Sequence, residues 1–172
     1  MSGVARIAIL GAESSGKSTL AAALAEHYHT LWVPEYLREF VDTHQRVPRE
    51  EDQYGIARTQ IERENAAALR ADKYLFCDTT PLMTALYSKV YWGRVVAPLA
   101  ELDAVHDYAL TLVTAPDGPW VPDGLQRESE AVRQSVHTLV LAHLRARGIA
   151  HTVVAGDPAQ RMDVVTRLLD AT

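Results

Sequence analysis

The chain has 172 residues, 48% of them hydrophobic and 23% charged, with a net charge of −5. That length suits one compact domain with its own core. The acidic balance and the lack of a basic run argue against a nucleic-acid partner. No apolar run is long enough to span a bilayer. Cys77 is the single cysteine, which excludes an internal disulfide and fits a reducing compartment. No leader pattern stands before the first strand, so a cytoplasmic protein is expected.

The elements alternate between strand and helix. Val4–Leu10 reads as a short buried strand, and the helix that follows its loop runs to about Tyr28. Leu31–Val33 is a second strand closed by Pro34, and 35–41 reads as helical. A longer helix starts near Pro48, with proline in its first turn, and ends near Arg70. Its apolar residues Tyr54, Ala57, Ile61 and Ala68 fall at helical spacing. Tyr74–Cys77 is the third strand and ends at Asp78. Pro81 opens the next helix, a short one covers 98–105, and Tyr108–Val113 is the fourth strand.

A segment rich in proline, glycine and aspartate then spans 115–124 and reads as a lid. A long helix follows, with Val132, Val136, Leu139, Val140 and Leu144 at one spacing and Gly148 as its stop. His151–Ala155 is the fifth strand. Asp157 and Pro158 cap and start the last helix, which buries Met162, Val165, Leu168 and Leu169. This alternation predicts an α/β fold: a five-stranded parallel sheet flanked by helices. Residues 1–172 are expected to form a single domain with a lid at about 115–128.

The chemistry begins at Gly11-Ala12-Glu13-Ser14-Ser15-Gly16-Lys17-Ser18, which matches the phosphate-loop pattern at every fixed position. Glycines let the backbone close round a polyphosphate. The loop and helix N–H groups, through Thr19, then face the phosphates. Lys17 is expected on the β- and γ-phosphates and the Ser18 hydroxyl on Mg²⁺. A nucleoside triphosphate with Mg²⁺ is therefore the expected ligand of a P-loop NTPase.

Two acids close strands at the carboxyl edge, where open α/β sheets bind ligands. Asp78 has the setting of an acid that holds Mg²⁺; serving the acceptor, or capping the Pro81 helix, are the other readings. Glu35 is the first polar residue past strand 2, placed to accept a hydroxyl proton. A first-turn glutamate favoured by the helix dipole is its bland alternative. Arg38, one turn on, is a phosphate or orienting group.

Trp120 in the lid either covers a flat ligand or packs locally. Arg127 and Arg133 at the lid-to-helix junction are the candidates to close on a transferring phosphoryl group. Arg161 is a candidate to lie over the adenine. The seven histidines form no metal-ligand spacing.

Four stretches together resemble one family: 11–18, Pro-Glu-Tyr-Leu-Arg-Glu-Phe-Val at 34–41, Phe-Cys-Asp-Thr at 76–79, and Pro-Trp-Val-Pro-Asp-Gly-Leu at 119–125. The chain resembles the ribosylnicotinamide kinase domain of NadR-like proteins, a kinase-like P-loop fold with a lid. The resemblance implies ATP as the nucleotide and phosphorylation of the 5′-hydroxyl of nicotinamide riboside to nicotinamide mononucleotide, in NAD salvage. It implies Glu35 as base and Asp78 on Mg²⁺ or the ribose. It also implies Tyr36 and Trp120 against the nicotinamide ring, Arg38 on phosphate or carboxylate, and Asp123 among the substrate-binding residues.

Family members usually place Arg directly after the Asp-Gly-Leu segment; here Gln126 stands there and Arg127 follows. No His-x-Gly-His signature is present, so neither adenylyltransferase nor repressor activity is expected. The alternatives are a kinase of another nucleoside or nucleoside monophosphate, and a regulatory ATP-binding protein with little turnover.

Overall fold

The computed structural model describes residues 3–122 and 129–172. Strands β1 (Ala5–Leu10), β2 (Leu31–Val33), β3 (Tyr74–Asp78), β4 (Leu110–Thr114) and β5 (Thr152–Val154) form one parallel sheet of order β2-β3-β1-β4-β5. Side chains alternate across β1. Ile7 and Ile9 face helices α1 (Lys17–His27) and α7 (Pro158–Asp170), packing on Leu20, Leu24, Val165 and Leu169. Ala8 and Leu10 face α4 (Pro81–Trp92) and α6 (Glu130–Ala146), packing on Leu82, Met83, Val136 and Val140. With both faces covered, the strands read as continuous apolar runs.

Helices α2 (Tyr36–His44), α3 (Gln53–Ala68) and α5 (Ala97–Val105) complete the described elements, with a single 3₁₀ turn at Glu50–Asp52 before α3. Local signals stop and start the helices as the sequence suggests. The Asp157 carboxylate accepts the Gln160 N–H at 2.8 Å while Gln160 returns to the Asp157 N–H at 2.8 Å, a capping box with Pro158 behind it. Ser129 caps α6 through the Val132 N–H at 3.2 Å.

Two faces differ from the reading by spacing. Leu139 is 41% exposed; the buried stripe of α6 is Arg133, Val136, Val140 and Leu144. In α3 the buried line is Gln53, Ile56, Ala57, Gln60, Glu64 and Ala67, while Tyr54, Ile61 and Ala68 are only half-buried. Half of that line is polar. This face of α3 packs over strand ends and a pocket whose groups need hydrogen-bond partners.

Candidate active site

The phosphate loop leaves the carboxyl end of β1, beside the ends of β3 and β4. Its glycines are demanded by neighbours. A Cβ on Gly11 would collide with the Thr114 hydroxyl, and one on Gly16, at φ +87, would stand 2.8 Å from an Arg161 nitrogen. The loop is tied from within. The Ser15 hydroxyl donates to the Ala12 carbonyl at 2.6 Å and meets the Thr114 hydroxyl at 2.7 Å. The Lys17 ammonium donates to the Ala12 carbonyl at 2.9 Å.

Two buried arginines tie it from outside. Arg133, 2% exposed, donates to the Ser14 carbonyl at 2.9 Å and the Gly118 carbonyl at 2.7 Å, with Glu130 at 2.7 Å on its third nitrogen. Arg161, 7% exposed, donates to the carbonyls of Ser15 (2.5 Å), Ala115 (2.9 Å) and Gly156 (3.0 Å) and to Asp117 at 2.6 Å. The Gly156 N–H and the Arg161 guanidinium hold the Asp117 carboxyl below its ordinary range. The guanidinium of Arg161 thus fastens the loop to the ends of β4 and β5; it borders the donor-side cleft rather than standing free for stacking on adenine. Arg133 is likewise engaged by two backbone carbonyls and by Glu130. Arg127, with Asp123, lies outside the described residues.

The loop separates two cavities. On one side a cleft of about 610 Å³ is lined by Ser14, Gly16, Thr19, Pro119, Arg161 and Met162. On the other, a narrow pocket is lined by Gly11, Glu13, Lys17, Glu35, Gln53, Gln60, Thr79 and Tyr87 among others. Gly11 and Glu13, read as nucleotide contacts, therefore face the second pocket. Glu35 occupies the cap position of α2 in an extended conformation. It is not a first-turn residue, and it shares the pocket wall with Lys17.

Asp78 is fully buried at the end of β3 and accepts a hydrogen bond from the Ser18 hydroxyl at 2.6 Å. A serine hydroxyl and a carboxylate brought together in this way are hard oxygen donors, the set Mg²⁺ takes when phosphates and water complete its shell. Thr79, next along, takes φ +77 and donates its N–H to the Ile9 carbonyl at 3.0 Å, turning the chain out of β3 into the pocket wall.

Tyr36, Arg38 and Trp120 are not among the residues lining either cavity. The Arg63 guanidinium lies 4.8 Å over the Tyr36 ring and also pairs with Glu39 at 2.5 Å, so Tyr36 is held against α3 and Leu37 lines the pocket in its stead. Arg38 is exposed and lines neither cavity. Trp120 is half-buried between Pro119, a wall of the donor-side cleft, and Val121, whose N–H donates to the Ser14 hydroxyl at 3.1 Å.

Spacing arguments passed over Gln60. Its side-chain carbonyl accepts the Tyr36 N–H at 2.8 Å, and its amide nitrogen donates to the carbonyls of Pro34 (3.2 Å) and Asp78 (3.4 Å). One amide therefore clasps the peptides on both sides of Glu35 and the end of β3. Glutamines at i and i+7 on an otherwise buried helix face are the signal that would have found it.

A parallel sheet of this order, a phosphate loop after its first strand and an acid closing the neighbouring strand define a P-loop nucleotide-binding domain of the nucleoside- and nucleotide-kinase type. The chain belongs to the AAA domain family, whose model matches residues 6–161. It is homologous to the trifunctional NAD biosynthesis/regulator protein NadR of Salmonella typhimurium (strain LT2), 32% identical over 151 residues. That match takes in 85% of this chain and 37% of the relative, so the chain spans little more than a third of the curated protein's length. Among solved structures, NadR in complex with NR superposes with a TM-score of 0.81 at 19% identity, covering 97% of this chain and 51% of that one. The deoxyadenosine kinase of M. mycoides gives 0.63 at 14% identity, covering 97% of this chain and all of the other. No described helix is long and apolar enough to cross a membrane.

Proposed function

We propose that this chain is a nicotinamide riboside kinase, transferring the γ-phosphoryl group of ATP to the riboside 5′-hydroxyl to give nicotinamide mononucleotide and ADP, in NAD biosynthesis. The observation that carries this reading is the loop between two cavities, with Lys17 and Glu35 on one wall. The donor enters the cleft bordered by Thr19 and Arg161; the acceptor enters the pocket of Glu35 and Gln60. The NadR relatives, one of them solved with NR and another with NAD and AMP-PNP, point to the acceptor and to ATP as donor.

In the proposed reaction the 5′-hydroxyl oxygen bonds to the γ-phosphorus, its proton passes to the Glu35 carboxylate, and the bond to the β-phosphate oxygen breaks with ADP leaving. Lys17 leaves the Ala12 carbonyl for the phosphate oxygens and neutralises charge that grows there. Ser18 and Asp78 would hold Mg²⁺, which supplies further charge neutralisation when bound. Asp123 and Arg127, from the segment after Trp120, complete the proposed substrate and phosphoryl contacts. Residues 1–172 act as a single cytoplasmic domain in this reading, with small-molecule partners only.

The test is Mg²⁺-ATP turnover across a panel of nicotinamide riboside, thymidine, cytidine, AMP and TMP, with Glu35→Gln beside the wild type. Nicotinamide riboside should be the preferred acceptor. The variant should lose roughly 10²- to 10⁴-fold in kcat while ATP affinity holds. Unchanged turnover in the variant removes Glu35 as base. Preference for another acceptor leaves a kinase of a different nucleoside, and ATP binding without acceptor-dependent ADP release leaves a regulatory ATP-binding protein.

A further inference from the structure

Two glutamines project from the same face of α3 into the acceptor pocket, and they are in opposite states. Gln60 is spent: both its donors and its carbonyl are engaged by backbone. Gln53, two turns earlier, is 6% exposed and lines the pocket, and its side-chain amide has no hydrogen-bond partner among the described residues. Its amide opens onto the pocket, and an occupant that displaced water there without pairing with it would leave a polar group unsatisfied, at a cost of about 1–3 kcal/mol. The helix rise places Gln53 about 10 Å from Gln60 along α3. Gln60 grips the peptides flanking Glu35. The unspent amide therefore stands well away from the point where the acceptor hydroxyl would react.

We propose that Gln53 is the specificity-determining residue of the acceptor pocket, and that it reads a carboxamide on the far end of the acceptor by a reciprocal pair of hydrogen bonds. This rests on the riboside-kinase reading above and narrows its substrate class to ribosides bearing an amide. A carboxamide offers one N–H donor and one carbonyl acceptor along one edge, and so does the glutamine side chain. A carboxylate at the same place offers acceptors only and leaves the Gln53 carbonyl facing a negative oxygen. Discrimination of this kind is strong, because the wrong ligand leaves a buried polar group unpaired.

The experiment compares nicotinamide riboside with nicotinic acid riboside on the wild type, Gln53→Leu and Gln53→Glu, with thermal melting to confirm folding. The wild type should favour the amide by at least about tenfold in kcat/KM. Gln53→Leu should raise KM for nicotinamide riboside about 5- to 150-fold with kcat little changed, and collapse the preference. Gln53→Glu keeps the shape and an acceptor for the amide N–H. It should deepen rejection of the nicotinic acid riboside at least about tenfold, and it carries the test if the leucine variant does not fold. Equal use of both ribosides by the wild type, or a preference that neither variant moves, overturns the assignment while the riboside-kinase reading stands. Turnover of neither riboside overturns both.

Discussion

Replacing Gln60 with leucine should loosen the acceptor wall and slow transfer without touching the nucleotide. The substitution is close in volume but removes the acceptor of the Tyr36 N–H at 2.8 Å and the donors to Pro34 and Asp78 at 3.2 and 3.4 Å. Stranding a buried backbone N–H costs about 1–3 kcal/mol, and two long hydrogen bonds add about 1 kcal/mol together. For a domain of this size that total of about 2–4 kcal/mol lowers Tm by roughly 5–15 °C. The kinetic effect follows from geometry. Gln60 grips the residues on both sides of Glu35, and misplacing a reacting group by about 1 Å costs on the order of 10²-fold. Gln60→Leu should therefore lose about 10- to 100-fold in kcat with KM for ATP nearly unchanged. Calorimetry and steady-state assays with varied ATP read both effects. A variant with unaltered Tm and kcat would refute the clasp; a raised KM for ATP with kcat intact would refute the separation of the two cavities.

Arg161→Met should destabilise the protein with no nucleotide present, by about 2–4 kcal/mol in urea unfolding, because three carbonyls lose their donor. An arginine that served only to cover adenine would leave that stability unchanged. A pH effect is expected at the opposite end of α3. Glu64 is fully buried, accepts the Tyr108 hydroxyl at 2.9 Å and has Arg6 at 3.6 Å. Burial raises its carboxyl from the ordinary 4.5 to about 7, against the pull of Tyr108 and Arg6. The folded protein then holds a proton the unfolded chain has released, so this group's contribution to stability falls as pH rises from about 4.5 through 7 and is level above. The full swing is about 3 kcal/mol. Glu64→Gln should flatten the stability profile between pH 5 and 7.5; an unaltered slope would place the titrating group elsewhere.

Much of this protein is written in local pattern. The phosphate loop, the strand-helix alternation and the two acids at strand ends are short-range statements, governed by backbone sterics, capping and burial of contiguous apolar runs. They held to within a few residues: β2 is Leu31–Val33 as read, and β3 gains only Asp78. Glu35 and Asp78 stood out in the sequence because Asp78 closes β3 and Glu35 follows the end of β2 by two residues, and a parallel sheet delivers its carboxyl ends to one edge.

What a side chain does there depended on partners distant in sequence. In a linear reading Arg133 is a candidate for the phosphoryl group and Arg161 for the adenine, and in the fold each meets a loop carbonyl more than a hundred residues away, at Ser14 and Ser15. Tyr36 belongs to the 34–41 stretch, and Arg63 lies over one face of its ring. Gln53 and Gln60 carry no motif at all. Only packing α3 across the ends of β2 and β3 gives one amide three backbone partners and leaves the other with none among the described residues. Sequence determined which backbone forms and where charge collects, because those follow from neighbours along the chain. Tertiary structure decided which polar groups are already satisfied, and so which remain available to a substrate.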